Sequence, residues 1–266
     1  PDYSSAASDV YKRQIIGMVS CGKKGCMDPM SLAYDSQATK DDGNCTYPAN
    51  EKRSLVFKAT ATWCPPCGSW GKDYVDNLYQ DFPNGNMEVI GLHNDNDFGV
   101  DVANMILGEL NNSSYPSFYV GIQSTSTSYT DISNAVDSEL DEDNLVSMAI
   151  DHSTEAGVMT IKIQSQIVDQ STFSGSDCHL AIYILEDGQV ANQQVGNPGS
   201  GVDDPNFVHD HILRTEANGS SFGVPITFTD GNNLTEVNAT LAPSTIWTHE
   251  NLYLSLIHIS EPTRPP

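Results

Sequence analysis

Two kinds of hydrophobic pattern divide the chain, and the change falls near its middle. Ser54-Leu-Val-Phe-Lys-Ala59 and Met87-Glu-Val-Ile-Gly-Leu92 are short apolar runs that read as buried strands. Between them Trp70, Tyr74, Leu78 and Phe82 recur every four residues, one face of an amphipathic helix that ends near Pro83-Asn84-Gly85. Another apolar strand follows Pro116. From Val158 onward apolar and polar positions alternate. Met159 to Val168, Cys178 to Leu185, Val224 to Thr229 and Leu234 to Leu241 read as strands, with Glu186-Asp187-Gly188 as a turn. The pattern predicts an α/β domain over residues 51–150 and an all-β antiparallel sandwich over 151–253, divided at Asp151 to Gly157. The stretch from Ser124 to Asp143 reads as an acidic insertion in the first of these.

Charge narrows the partners. Lys and Arg number 12 against 35 Asp and Glu, a net charge of −23, so the clustered cations that hold a phosphate backbone are missing and no nucleic-acid partner is expected. At 266 residues and 38% hydrophobic content there is material for a packed core. No stretch reaches the about 18 consecutive apolar residues of a membrane span, so a membrane link has to be an anchor.

Pro1 to Gln14 and Leu254 to Pro266 resemble peptides translated from sequencing-adapter DNA, and residues 1–14 and 254–266 are accordingly left out of the expected fold. The last strand is then expected to break off after Tyr253, although Leu256, Ile257 and Ile259 imitate its continuation.

The six cysteines sort by their surroundings. Ile15 to Cys21 resembles the end of a lipoprotein signal, with small Ser20 before Cys21 as the lipidation site. Cys26-Met-Asp-Pro29, Tyr34-Asp35 and Asp41-Asp42-Gly43-Asn44-Cys45 resemble a Cys-bounded motif near the mature start of secreted and lipid-anchored proteins of the Bacteroidota; Ser31, Ala33 and Asn44 depart from it. The resemblance makes residues 22–50 an acidic stalk held by a Cys26–Cys45 disulfide. Such a bridge is worth about 3 kcal/mol and implies an oxidising compartment. Asp28, Asp35, Asp41 and Asp42 read either as carboxylates for calcium or as a solvated acidic surface; their spacing is not that of an EF-hand.

The strongest chemical signal is Trp63-Cys64-Pro65-Pro66-Cys67, between the first strand and the first helix. A cysteine at a helix N-terminus has its thiolate stabilised by free N–H groups and partial positive charge, and this is the place expected for Cys64. Half a zinc site is the competing reading, but zinc needs further Cys or His ligands and no second C-x-x-C exists, so neither metal nor cofactor is expected. Together with Tyr115-Pro116, the motif makes residues 51–150 resemble a thioredoxin-like domain. That resemblance implies a cis Pro116 facing the cysteines, Cys64 as nucleophile, Cys67 as resolving thiol, and Trp63, Tyr115 and Pro116 as the substrate-binding wall. Lys58 departs from it, standing where thioredoxins commonly place a buried acid. If buried, Lys58 favours a thiolate; if at an edge, it is a solvated cation. Parallel strands end at the same rim of a sheet, so His93, Asp95 and Asp97 should lie near Cys64, and Lys58, His93 and Asp95 are the candidate proton relay.

Glu186-Asp187-Gly188 with Gln193, Phe207-Val-His209-Asp-His211-Ile-Leu-Arg214, Gly223-Val-Pro225 and Trp247 with Asn251-Leu252 resemble the twenty-eight-kilodalton outer membrane protein family of the Bacteroidota. The resemblance spans Glu51 to Tyr253 and implies a thioredoxin-like domain followed by an immunoglobulin-like sandwich in an exported envelope protein. His209 and His211 read as a metal pair lacking a third ligand or as hydrogen-bonding groups at the domain interface, and Cys178 as a buried apolar group. Two functions are expected to compete. One is an outer-membrane lipoprotein acting as a thiol–disulfide oxidoreductase on protein dithiols and disulfides, on the periplasmic or the outward face. Its Pro65-Pro66 pair resembles that of membrane-tethered reducing proteins of cytochrome maturation, which points to a reductase. The other is a noncatalytic binding or adhesion lipoprotein that keeps Cys64–Cys67 as a structural bridge.

Overall fold

The computed structural model describes residues 22–173 and 178–260. Cys21 and its preceding apolar segment lie outside the described residues. The stalk carries two short strands, β1 (Lys24–Gly25) and β2 (Lys40–Asp41), and Cys26 is bonded to Cys45 with an S–S distance of 2.04 Å. An α/β succession follows: β3 (Ser54–Thr60), α1 (Trp70–Asp81), β4 (Met87–His93), α2 (Asp101–Glu109), β5 (Ser117–Val120), β6 (Gln123–Ser124) and α3 (Tyr129–Leu140). The remaining strands are β7 (Val146–Glu155), β8 (Val158–Ile167), β9 (Cys178–Glu186), β10 (Gln189–Val195), β11 (Val202–His209), β12 (Ile212–Glu216), β13 (Val224–Ile226), β14 (Asn232–Thr240) and β15 (Leu252–Ser260).

One mixed sheet of eight strands runs through both halves of the chain in the order β13-β9-β12-β4-β3-β5-β6, with β15 also paired to β9. β3 is parallel to β4 and antiparallel to β5, so the chain leaves β3 and β4 at the same rim. Its two faces are covered differently. Val75 and Leu78 of α1 and Ile132 and Val136 of α3 pack with Val56, Val89 and Phe118 on one side. Val102, Ala103, Ile106 and Leu107 of α2 pack with Phe57, Ile90, Tyr183 and Leu213 on the other. β9 is buried along its whole length because both faces are used: Ala181, Tyr183 and Leu185 meet the α2 layer, while Leu180, Ile182 and Ile184 meet Met159, Ile161 and Ile163 of β8.

Three expectations change. Residues 151–253 do not close on themselves as a separate immunoglobulin-like sandwich. Two layers do face each other, but one is the antiparallel sheet β14-β8-β7 and the other is the β9 end of the shared sheet. Asp151 to Gly157 lies in the β7–β8 hairpin, where Ala156 and Gly157 adopt positive φ, so the expected boundary is a tight turn. The acidic stretch from Ser124 to Asp143 is no insertion. It contains α3, whose Ile132 and Val136 are fully buried. The third change concerns the segment after Tyr253. Its backbone continues β15 in register with β9, from Leu254 opposite Ile184 to Ser260 opposite Cys178.

The junction between the halves is narrow. β12 runs parallel to β4 through Ile212 opposite Gly91, and the Gly91 N–H donates to the His211 carbonyl at 2.7 Å. A Cβ on Gly91 would stand 3.1 Å from that carbonyl oxygen, so glycine permits the approach. β10 and β11 belong to neither large sheet and form a hairpin of their own.

Candidate functional site

Cys64 and Cys67 are joined by a disulfide at the rim where β3 ends, and they are 3% and 1% exposed. The helix does not start there. Cys64 N–H donates to Ala61, Cys67 N–H to Cys64 and Ser69 N–H to Pro66, a chain of turns, and α1 begins only at Trp70. Two consecutive prolines explain this, since each disfavours helical backbone in the residue before it and neither has an N–H to donate. The helix N-terminus expected at Cys64 is therefore several residues away, and the field of a helix end fades within its first turn.

The other residues anticipated for the site do come together. The Tyr115–Pro116 bond is cis, and Pro116 lies against the start of α1, where a Cβ on Gly71 would meet Pro116 Cγ at 3.0 Å. Tyr115 packs on the two cysteines and meets the exposed Trp63 ring edge-on, with centroids 5.5 Å apart. The Trp63 indole N–H donates to the Asn94 carbonyl at 2.9 Å, which sets its ring beside the motif.

Behind Cys67 is a small cavity of about 50 Å³ lined by Lys58, Cys67, His93, Gln193 and His209 among others. That is room enough for water among polar groups. Lys58 Nζ reaches to 3.4 Å from the Cys67 carbonyl oxygen, and burial, aided by the Lys72 charge, pushes its pKa down to about 8. His93 Nδ1 and Asp95 Oδ2 are 2.8 Å apart, nearly enclosed. Burial lowers the His93 pKa, so the neutral ring donates Nδ1–H to an Asp95 carboxylate. Burial opposes ionisation of Asp95, but the hydrogen bonds from His93, Phe98 and Thr62 outweigh it and hold the pKa at about 2. Asp95 and Asp97 are anchors of the motif loop: Asp95 accepts the Thr62 N–H at 3.0 Å and Asp97 accepts the Thr62 hydroxyl at 3.0 Å.

His209 and His211 face different surroundings. The His209 ring lies 5.7 Å from that of His93 and 4.7 Å from that of Phe98, its Nε2 is buried without a hydrogen-bond partner, and burial pushes its pKa down to about 4. His211, at positive φ, stacks on Tyr79 and shares a hydrogen bond with the Tyr253 hydroxyl at 2.8 Å. The i, i+2 rule fails because the strand ends at His209 and the chain turns. Among the described residues no group of three or more His, Cys, Asp or Glu is placed to hold a metal. Asp28, Asp35, Asp41 and Asp42 each accept a backbone N–H two residues on, as in local turns. Cys178 is free and buried, and burial pushes its thiol up to about 11.

One feature of the site escaped the sequence. The β10–β11 hairpin lies across the C-x-x-C loop, and Gln193, 2% exposed, sends its side-chain amide to the carbonyls of Cys64 at 3.0 Å and Ala61 at 3.2 Å. A lone inward Gln in an otherwise polar strand carries no signal of what it meets. The Glu186-Asp187-Gly188 and His209-Asp210-His211 blocks clamp the base of this hairpin: Asp187 accepts the His211 N–H at 2.7 Å and Asp210 accepts the Gly188 N–H at 2.8 Å. Glu186 is buried in an ion pair with Arg214 at 2.6 Å.

Comparison with known proteins adds the following. No curated protein matches the chain. Among solved structures, HBP35 of Porphyromonas gingivalis is similar in fold, with a TM-score of 0.62 over 80% of this chain and 70% of that one at 15% sequence identity. The family model of outer membrane protein Omp28 matches residues 108–257, which takes in the sheet extension, the hairpin and its clamp but not Cys64 and Cys67. With more than half of its length matched, the chain belongs to the Omp28 outer membrane protein family, and its place is the cell envelope at the outer membrane.

Proposed function

We propose that this protein is a thiol–disulfide oxidoreductase of the envelope, working as a reductase through Cys64 and Cys67 and tethered by a lipid on Cys21. The carrying observation is the Cys64–Cys67 bridge at the end of β3, bounded by Trp63, Tyr115 and cis Pro116, with Lys58 behind it. The strand order β4-β3-β5-β6 with helices α1, α2 and α3 agrees with a thioredoxin-like scaffold. In the reduced protein, the Cys64 thiolate attacks one sulfur of a protein disulfide and expels the other as a thiolate. Cys67 then loses its proton and attacks Cys64 Sγ, which releases the second substrate sulfur and leaves the bridge. Two electrons pass to the substrate, whose sulfurs take up two protons. Lys58, whose Nζ is 3.4 Å from the Cys67 carbonyl oxygen, places a cation beside Cys67 at neutral pH that favours the thiolate, and above its pKa of about 8 the neutral amine is suited to take the Cys67 proton. Asp95, held by His93, fixes the loop through the Thr62 N–H.

The test is the reduction potential of the pair, measured by equilibration in glutathione buffers with trapping of free thiols. A reversible couple between about −270 and −120 mV supports catalysis, and its position gives the direction. A bridge that stays closed below about −300 mV overturns the reading. A noncatalytic envelope binding protein is the second reading, favoured by one observation: a hairpin of the same chain is bonded to the loop that carries the two buried cysteines.

A further inference from the structure

We infer that the β10–β11 hairpin is a strap that closes the Cys64–Cys67 site against protein thiols, with Gln193 as the positioning residue that holds it shut. The inference deepens the reading of Cys64 and Cys67 as a redox pair by naming what regulates access to it.

The strap is attached where it matters and little elsewhere. Among the described residues β10 pairs only with β11, so neither large sheet carries the hairpin. Its outer strand β11 is largely exposed, with Val202 and Val208 facing solvent, as does Val190 of β10. Beyond its clamped base, its bonds converge on the motif loop. Gln194 N–H donates to the Thr62 carbonyl at 2.8 Å, Gly196 N–H to the Ser69 hydroxyl at 2.6 Å, and the Gln193 amide to Ala61 and Cys64. Gln194 thus occupies backbone beside Trp63-Cys64 that an added peptide strand could otherwise use. The fit is tight. A Cβ on Gly68 would meet Gln193 Cγ at 2.4 Å, and a Cβ on Gly201 would meet Pro65 Cγ at 2.5 Å. The tip, Gly196-Asn-Pro-Gly-Ser-Gly201, turns back with positive φ at Gly196 and Gly199.

Cys64 and Cys67 are 3% and 1% exposed, with the hairpin bonded to their loop and Tyr115 packed against them. Reduction needs a thiolate to reach one sulfur of the bridge and displace the other cysteine as thiolate; the second thiol of the reductant then frees the first. The bridge gains two electrons and two protons, and the reductant becomes a disulfide. A bulky protein dithiol has to wait for the strap to lift, whereas dithiothreitol needs a smaller opening.

The experiment compares reduction of the Cys64–Cys67 bridge by dithiothreitol and by a reduced thioredoxin in the wild type, in Gln193→Ala and in Gly201→Ala. Both changes are on the strap and keep every residue of the Trp63–Cys67 motif. The alanine at 193 loses bonds to two loop carbonyls, and the alanine at 201 pushes the tip off Pro65. Reduction by thioredoxin should rise about tenfold in Gln193→Ala, the effect of losing one to two hydrogen bonds, and should rise also in Gly201→Ala through the clash with Pro65, in both by more than reduction by dithiothreitol. Equal rates in all three proteins overturn the strap. If a variant fails to fold, amide exchange in the wild type decides. Gln194 and Gly196 must open well before the amides of β3 and β4; opening only together with the sheet overturns the proposal. The outcome is separable from that of catalysis. Faster reduction in the variants without turnover of protein disulfides keeps the strap and removes the oxidoreductase, whereas turnover with no effect of either variant removes the strap alone.

Discussion

The Gly91 amide donates to the His211 carbonyl at 2.7 Å, and at this contact the second half of the chain joins the sheet of the first. The contact works because Gly91 has no side chain and because His211, at positive φ, turns its carbonyl toward β4. The sheet extension and the strap over the cysteines both hang from it, since His211 directly follows the hairpin.

Gly91→Ala should therefore strain the junction. Its Cβ would stand 3.1 Å from a backbone oxygen that cannot rotate away, and parting β4 from β12 should cost about 1–3 kcal/mol. Urea unfolding checks this. Unchanged stability would mean that the two halves can shift apart without loss.

Lys58 makes a prediction with a defined pH window. Its pKa falls from 10.5 to about 8 on folding, chiefly through burial, with Lys72 adding to the shift and Asp76 opposing it. Between these values the unfolded chain holds more protons than the folded one, so this group's contribution improves as pH rises through the window and is unfavourable below it. Lys58→Met should thus be the more stable protein at pH 7, by roughly 3 kcal/mol, with the advantage vanishing toward pH 10.5. Paired unfolding curves at both pH values test it, and a constant difference would refute the assignment.

His209 acts on the acid side. Burial depresses its pKa from 6.5 to about 4, with His93 and Lys58 adding to the shift and Asp95 opposing it. The stability it supports is complete above pH 6.5 and is lost as pH falls through about 4, because the unfolded chain takes up the proton first. Replacing it, as in His209→Phe, should flatten this loss by roughly 3 kcal/mol, read from unfolding free energies at neutral and acid pH. Equal acid slopes in the two proteins would show that His209 is not the group concerned.

The Cys26–Cys45 bridge closes a stalk with little core of its own. The double variant Cys26→Ser/Cys45→Ser should lose about 3 kcal/mol of local stability, seen as faster proteolysis between residues 22 and 50. The melting of the rest of the chain should hardly move, since β3 onward is packed without it. A shared drop in both would mean that the stalk is part of the main cooperative unit.

What the sequence by itself determined is local. The four-residue recurrence of Trp70, Tyr74 and Leu78 located α1, short apolar runs located β3 and β4, the alternating half located β9, and the resemblance carried by Trp-Cys-Pro-Pro-Cys and Tyr-Pro implied that Trp63, Cys64, Cys67, Tyr115 and Pro116 meet in one place. Such patterns state which face of an element is buried. They do not state what buries it. Only the tertiary structure decided that β9 and β12 extend the first sheet, because the full burial of β9 suits a sandwich and a shared sheet equally. It also moved the start of α1 to Trp70, since the turns through Pro65 and Pro66 compete with the helix over a few hydrogen bonds. The turn at His211 parted two histidines that alternation alone would set side by side. The strap is the clearest case. Gln193 and Cys64 are 129 residues apart, and no local period records a contact made by backbone carbonyls, which every residue type possesses alike.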